Sequence, residues 1–209
     1  MLGTYLKGAT TLKDVEYISS SINKSTVALN TVTAPAGITD GDLLVAFGIH
    51  VLSSKTVTYP AGFTERLLNN GTKNSIFVAT KVASSESGDY GFTWSGITNS
   101  NTIAILVYRN ATDSDRLIGT VTRAESSTST ALSISPTDKG ALIGFFALED
   151  NETVSIAPVG MTQRALNTSG PSVGIYDIVP NGTGATGDKT LQWANSADAA
   201  GFFMQIYRG

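Results

Sequence analysis

The chain has 209 residues, of which 41% are hydrophobic and only 15% charged, with a formal net charge of −3 and no cysteine. The length suits one large β domain or two small ones, and the absence of cysteine excludes disulfides, thiol catalysis and thiolate metal sites. The weakly acidic balance, without any run of Lys or Arg, gives no basis for nucleic-acid binding.

Residues 1–25 have no counterpart later in the chain, and we interpret them as an arm or edge element before a main body of residues 26–209. The N-terminus lacks the apolar core of a signal peptide. The longest apolar runs, 43–52 and 141–148, have the length of a strand and fall short of the ~18–20 residues that span a membrane. We expect a soluble chain made in a cytoplasm, without a membrane partner.

The first half alternates short apolar runs with turn sequences, as an antiparallel β protein does. Residues 27–32 alternate as a strand, and residues 43–51 are almost continuously apolar, which is typical of a strand buried on both faces. Asn70-Gly71 favours a hairpin because both residues accept the positive φ of a type I′ turn. Further strands are predicted at 75–82, 90–94 and 102–108.

One stretch occurs twice. Tyr-Pro-Ala-Gly-Phe-Thr-Glu-Arg-Leu-Leu-Asn at 59–69 returns, in degenerate form, as Ala-Pro-Val-Gly-Met-Thr-Gln-Arg-Ala-Leu-Asn at 157–167, 98 residues later. Phe47 and Phe145 keep the same offset. Matches in register along the whole half predict two sequence repeats. The Pro-x-Gly of each copy is then a structural corner that turns the chain between sheets.

The repeats define the predicted organisation of the chain. The segments are a first repeat at 27–110, a connection at 111–129 with an extra strand at 116–122, and a second repeat at 130–209, in which 131–135 play the part of 28–33. Either each half forms its own small sandwich, or the halves interleave their strands in one domain. We favour the second arrangement, because about five strands per half are few for two closed faces.

The predicted fold class is therefore all-β, a single jelly-roll-like antiparallel β-sandwich built from two pseudo-symmetric sequence repeats. In this fold Pro60 and Pro158, and likewise Gly62 and Gly160, superpose about a pseudo-twofold axis.

The ionisable candidates for chemistry each have a simpler structural explanation. His50 is the single histidine; no Gly-x-Ser-x-Gly elbow accompanies it, so a residue at the end of a strand is the favoured interpretation. Clustered carboxylates can serve glycoside hydrolysis or bind Ca²⁺, but solvated turns are the favoured explanation of the three clusters. These clusters are Asp40 with Asp42, Asp113 with Asp115, and Glu149 with Asp150 and Glu152.

The two tryptophans and one glycine-rich loop also have simpler structural explanations. Trp94 and Trp193 can form a platform for sugars, but a duplicated position most easily keeps a duplicated packing role in the core. The glycine-rich loop 181–187 lacks the Lys of a phosphate-binding loop.

Arginines recur as two pairs, Arg66 with Arg164 and Arg109 with Arg208. They can bind an ion or a partner surface, or they can cover apolar surface with their stems while their heads bond loop carbonyls. We favour the second role for both pairs. Altogether we predict no catalytic residue, no cofactor and no metal ion.

Several segments together resemble β-sandwich proteins of tailed bacteriophages and prophages, and this similarity covers residues 27–209. The segments are Gly-Asp-Leu-Leu-Val-Ala (41–46), Pro-Ala-Gly-Phe-Thr (60–64), Ala-Thr-Lys-Val-Ala (79–83), Tyr-Gly-Phe-Thr-Trp-Ser (90–95) and Ile-Leu-Val-Tyr-Arg-Asn (105–110). The resemblance implies a non-enzymatic virion protein, assembled in the host cytoplasm. It carries no catalytic residues over to this chain.

Within the virion we favour a capsid decoration or cement protein that binds the major capsid protein, because the chain has no coiled coil or fibre repeat. By analogy it forms a homo-oligomer, such as a trimer on a capsid symmetry axis. Two alternatives stay open. One is a tail-tip or fibre protein that recognises host surface glycans through aromatics on loops at 50–55, 95–101 or 194–199. The other is a glycan-active enzyme with two carboxylates across a cleft.

Overall fold

In the computed structural model the described residues are 12–96, 99–179 and 181–209, and for residues 114 and 115 only the backbone is described. Regular structure in these ranges consists of β-strands alone, so the all-β prediction is confirmed. Within them, no helix is long and apolar enough to cross a membrane. The strands are β1 (Glu16–Ser25), β2 (Leu29–Val32), β3 (Leu43–His50), β4 (Val57–Thr58), β5 (Thr64–Asn70), β6 (Ser75–Val82), β7 (Tyr90–Trp94), β8 (Asn101–Arg109), β9 (Ala111–Ile118), β10 (Thr122–Ala131), β11 (Gly140–Leu148), β12 (Val154–Ile156), β13 (Thr162–Asn167), β14 (Ser172–Ile178) and β15 (Lys189–Arg208).

These strands form two large antiparallel sheets and one small one. The first sheet has the order β1-β8-β3-β6-β5, and the small sheet has the order β2-β7-β4. The second sheet has the order β10-β15-β11-β14-β13, and both β9 and β12 also pair with β15. The predicted antiparallel sandwich is confirmed in this arrangement.

The long strand β15 has the pairing partners in the second half that β7 and β8 together have in the first half. Its first residues pair with the end of β10 and with β12, as β7 pairs with β2 and β4. Its last residues pair with β11, as β8 pairs with β3. The order β8-β3-β6-β5 therefore corresponds to β15-β11-β14-β13. Two copies of one unit would give this order, while the duplication itself and jelly-roll connectivity stay predictions.

Strands of the two halves do not share a sheet. Every ladder of the first and small sheets joins strands within residues 16–109, and every ladder of the second sheet joins strands within 111–208. The predicted interleaving is therefore wrong. The first half supplies the eight strands β1 to β8, and these suffice for two sheets with an apolar layer between them. The halves meet instead through the faces of the two large sheets.

Three apolar layers hold the sheets together. In β3, Val45 and Phe47 face the second sheet while Leu44 and Ala46 face the small sheet, and all four side chains are fully buried. This confirms the predicted strand buried on both faces. In β11, Ile143 and Phe145 lie in the same central layer as Phe47. The central layer thus belongs to both halves, and burial of its rings contributes most to their association.

The repeated Pro-x-Gly sequence forms the same turn twice. The N–H of Phe63 donates to the carbonyl of Pro60 at 3.2 Å, and that of Met161 donates to Pro158 at 3.3 Å. Gly62 and Gly160 have φ of 85° and 76°, which the third position of a type II turn requires and side chains disfavour. Each turn leads from a short strand into an edge strand of a large sheet, β5 or β13. The predicted corner between sheets is confirmed for the first copy, which leads from the small sheet into the first sheet. The second copy joins two strands of the second sheet, so the predicted change of sheet is wrong there. Superposition of the two copies about an axis stays a prediction.

Some predicted boundaries were wrong. For residues 16–25 the edge-element alternative is confirmed, because they form the edge strand β1 on β8, while residues 1–11 lie outside the described ranges. Other predicted boundaries differ. The connection holds two strands, β9 and β10, instead of one at 116–122. Thr128 to Ala131, rather than 131–135, pair with β15 as β2 pairs with β7. The connection is rich in Ser and Thr, so it carries no apolar period that marks these strands.

Candidate functional site

His50 ends β3 as predicted and is only 1% exposed. Its Nδ1 accepts a hydrogen bond of 3.1 Å from the backbone N–H of Leu52, and its ring lies 5.3 Å from that of Trp94. Burial, with a further contribution from Lys55, lowers the pKa of His50 to about 4. The imidazole is therefore neutral near pH 7 and holds the chain where it leaves the strand.

The arginine pairs bind aspartates instead of the loop carbonyls that the sequence suggested. The guanidinium of Arg109 donates two hydrogen bonds, of 2.9 and 2.8 Å, to the carboxylate of Asp42. Arg109 also donates to one loop carbonyl, that of Gly37. Burial raises the pKa of Asp42, but the bonds from Arg109 and Thr39 outweigh burial and lower it. Arg208 donates to Asp138 at 2.7 Å. These pairs close the turns that lead into β3 and β11.

A second arginine pair lies where the large sheets meet. Arg164 donates to the fully buried Asp177 at 2.7 Å, and the hydroxyl of Tyr108 donates to the other oxygen of Asp177 at 2.9 Å. Burial raises the pKa of Asp177 against these two bonds. At the opposite edge, Arg66 forms an ion pair with Asp113. The sequence did not point to Tyr108 or Asp177, because each lies within an apolar strand pattern.

Trp94 and Trp193 are both 1% exposed, so the predicted core role is confirmed. The indole N–H of Trp193 donates to the hydroxyl of Ser129 at 2.8 Å. That of Trp94 has no partner among the described residues. Neither ring is open to a sugar.

The glycine-rich loop 181–187 is pinned to the segment before β11. Asn181 exchanges bonds with the backbone of Gly140, and Gly184 and Thr186 donate to the carbonyls of Pro136 and Ile134. Its backbone is thus engaged in the connection between β14 and β15.

The prediction of solvated turns is wrong for two of the clustered carboxylates, because Asp42 is buried and Asp113 is half-buried, each in an ion pair. The remaining carboxylates lie in different settings. Asp40 accepts a backbone bond from Ser85, and Glu152 accepts two bonds of 2.9 Å from Asn195. The side chain of Asp115 lies outside the described residues. Among the described residues, no three Asp, Glu or His side chains are grouped closely enough to hold a metal ion.

The halves also meet along a polar line, which we call the seam, where the β5–β6 hairpin faces β10 and β15. Arg123 crosses the seam from β10 and donates to the side chain and carbonyl of Asn69 at 3.0 and 2.9 Å, and to the side chain of Asn74. Asn74 donates in turn to Asp198 on β15. A Cβ at Gly71 would lie 2.4 Å from the Arg123 guanidinium, so a side chain there would displace Arg123 from its bonds across the seam. The predicted hairpin joins β5 to β6, but neither Asn70 nor Gly71 has a positive φ, so the predicted type I′ turn is wrong. Residues 71–74 form the connection, which the N–H of Gly71 closes by donating to the carbonyl of Asn74 at 2.8 Å.

Beside these bonds the seam opens into a cavity of about 470 Å³, which we call the seam cavity. Both halves line it, and most of its lining is polar. The lining residues are Val51, Lys73, Asn99, Ser100, Glu125, Glu149, Asp150, Asn151, Gly170, Ser196 and Ala197. An exposed ion pair between Lys73 and Glu125 spans the seam at its rim.

Glu149 is the unusual residue of this cavity. Its carboxylate is partly buried, and no hydrogen bond or ion pair to it is found among the described residues. Burial raises its pKa, Lys73 opposes this rise, and Asp198 and Asp150 add to it. The sequence marked Glu149 and Asp150 as clustered acids, but Lys73 and Glu125 lie far from them in sequence and carry no recognisable motif.

Comparison with family models gives no match, and neither the curated proteins nor the solved structures contain a match to this chain.

Proposed function

We propose that the chain is a non-enzymatic structural protein of a bacteriophage virion, and that it decorates the surface of the capsid. The observation that carries this proposal is the way the halves are joined. Their large sheets share one apolar layer, and buried or half-buried ion pairs such as Arg164–Asp177 and Arg66–Asp113 close its edges. A body joined this way is suited to resist deformation on a particle.

The burial and bonding of the ionisable side chains support the same proposal. His50, Asp42 and Asp177 are all buried and all bonded to structural partners. Such groups stabilise a fold, whereas a catalytic site keeps its acid and base accessible to substrate. The partner would be the major capsid protein, with several copies of this chain supplying the avidity that one modest contact lacks.

Electron microscopy of purified particles tests this proposal. We expect density for the protein on the head, and we expect heads stripped of it to become more sensitive to heat and osmotic shock. Rebinding of purified protein to stripped heads is the matched control. Density on the tail would favour the alternative below, and absence from the particle would contradict both virion roles.

One observation favours the alternative, a tail protein that recognises host glycans. The segments 50–55, 95–101 and 194–199 all contribute to the lining of the seam cavity, through Val51, Asn99 with Ser100, and Ser196 with Ala197. The third segment is part of β15 and not a loop, and none of the three contains an aromatic residue. Recognition there would depend on hydrogen bonds instead of stacking.

A further inference from the structure

The seam cavity has the dimensions of a ligand site. Its volume of about 470 Å³ lies within the ~300–1,000 Å³ of small-molecule sites. Strands β10 and β15 supply part of its wall, and the connections that follow β3 and β11, the β5–β6 hairpin and the segments before β8 and β14 supply the rest. The seam bonds of Arg123 and Asn74 hold the hairpin against β10 and β15. The site therefore exists only where the two halves are joined.

The carboxylate of Glu149 forms no hydrogen bond or ion pair with the described residues. Partial burial of a carboxylate costs free energy unless hydrogen bonds or a cation compensate, and for Glu149 the only opposing effect is the nearby charge of Lys73. Lys73, the cation that lines the same cavity, is paired with Glu125. An unfavourable side chain facing a cavity is typical of a binding residue.

The first half supplies an internal comparison. Val51 lies 98 residues before Glu149, directly after β3 as Glu149 follows β11. Both residues line the seam cavity. An apolar residue thus follows the corresponding strand of the first half, so this corner of the fold does not require a carboxylate.

The chemistry of the lining selects the ligand. Lys73, Asn99 and Asn151 offer N–H donors, while Glu149 and Asp150 offer acceptors, and two serine hydroxyls can do either. A ligand rich in hydroxyls satisfies both kinds of group. The lining includes three carboxylates and one ammonium, so an anionic ligand is disfavoured.

We propose that the seam cavity binds a neutral sugar unit, with the carboxylate of Glu149 accepting hydrogen bonds from adjacent sugar hydroxyls and Asn151 and Lys73 donating to sugar oxygens. This site does not depend on the proposed place in the virion, since a capsid decoration protein and a tail protein can each carry it.

The test is a titration of the isotope-labelled protein, followed by amide resonances. The probes are the methyl glycosides of glucose, galactose and mannose, N-acetylglucosamine, sialic acid as an anionic sugar, and ethylammonium as a simple cation, each at millimolar concentration. We expect at least one neutral sugar to shift resonances around Glu149, Ser196 and Lys73. We expect sialic acid to leave them unchanged.

Variants assign the effect to the residue. Glu149→Gln should lower the affinity for the bound sugar by about tenfold or more, because a charge-assisted acceptor is lost. The midpoint of thermal unfolding of this variant should stay equal or rise. As a control, Glu16→Gln removes the same charge from an exposed position on β1. It should change neither the affinity for sugar nor the midpoint of thermal unfolding. Ser196→Leu fills the exposed mouth of the cavity and should abolish binding while Glu149 is retained.

Three results would overturn the proposal. They are no shift with any neutral sugar, a response at Glu149 to ethylammonium alone, and Glu149→Gln protein that unfolds at lower temperature and binds sugar like the unmodified chain. The first result leaves the virion role intact, whereas absence of the protein from particles leaves the sugar site intact.

Discussion

Phe47 and Phe145 stack across the interface of the two halves, with ring centroids 5.1 Å apart and planes inclined by 15°. They occupy the same position in the central strands β3 and β11, 98 residues apart. Both are fully buried. The halves therefore touch at residues that keep the 98-residue offset. A twofold relation between the halves would give such a contact, and that relation stays a prediction.

We predict that truncating either ring strongly destabilises the protein. Phe47→Ala and Phe145→Ala should each lower the free energy of unfolding by about 3–5 kcal/mol, because each leaves a cavity in a layer that cannot collapse. Chemical denaturation measures this change. The double variant should lose less than the sum of the single losses, by about 0.5–1.5 kcal/mol, which is the coupling of an aromatic pair.

Val159→Ala is the matched control for these variants. Val159 is 80% exposed at the tip of the repeated turn, and its truncation should change stability by less than about 0.5 kcal/mol. If the phenylalanine variants unfolded in two separate transitions, the halves would be independent units and the shared central layer would contribute little.

A second prediction concerns the buried carboxylate of Asp177. Asp177→Ala leaves Arg164 without its counter-charge and Tyr108 without its acceptor, and it should lower the free energy of unfolding by about 3–5 kcal/mol. Replacing Lys73 with Ala breaks an ion pair whose side chains are 53% and 59% exposed. That change should cost no more than about 1 kcal/mol. Equal losses in the two variants would show that the buried network is not important for joining the sheets.

The pH dependence of stability follows from His50. Unfolded His50 takes up a proton near pH 6.5, while the folded protein does so only near its lowered pKa of about 4. Between these values the unfolded state binds more protons, so stability falls as the pH falls. This difference in pKa lowers the free energy of unfolding by about 3 kcal/mol once the pH has fallen to 4. Carboxylates with a lowered pKa, such as Asp42, lose their contribution only at lower pH.

Thermal unfolding measured from pH 7 to pH 4 checks this prediction. His50→Asn keeps an acceptor for the backbone N–H of Leu52 but cannot be protonated, so the slope over this range should flatten. A slope that persists in the variant would place the titrating group elsewhere.

The sequence predicted what depends on local pattern and missed what depends on distant partners. The apolar run of β3, the turns at Gly62 and Gly160, and the burial of Trp94 follow from residue type and spacing. The separation of the halves into their own sheets did not follow, because β9 and β10 are polar strands without an apolar period. Arg123 and Lys73 reach the seam through contacts far apart in sequence, which no motif records.

The last prediction returns to the repeated turn. Gly62 and Gly160 have φ of 85° and 76°, where a side chain costs about 1–2 kcal/mol. Gly62→Ala should destabilise the protein more than Gly160→Ala, because a Cβ at 62 would lie 3.0 Å from the Lys81 side chain, while at 160 the nearest atom is 4.0 Å away. Gly182→Ala is the control, since nothing lies within 4 Å of its Cβ position. Chemical denaturation of the three variants measures the order. If Gly182→Ala were the most damaging of them, the requirement for positive φ at the two Pro-x-Gly turns would be refuted, and with it their role as the fixed corners of both halves.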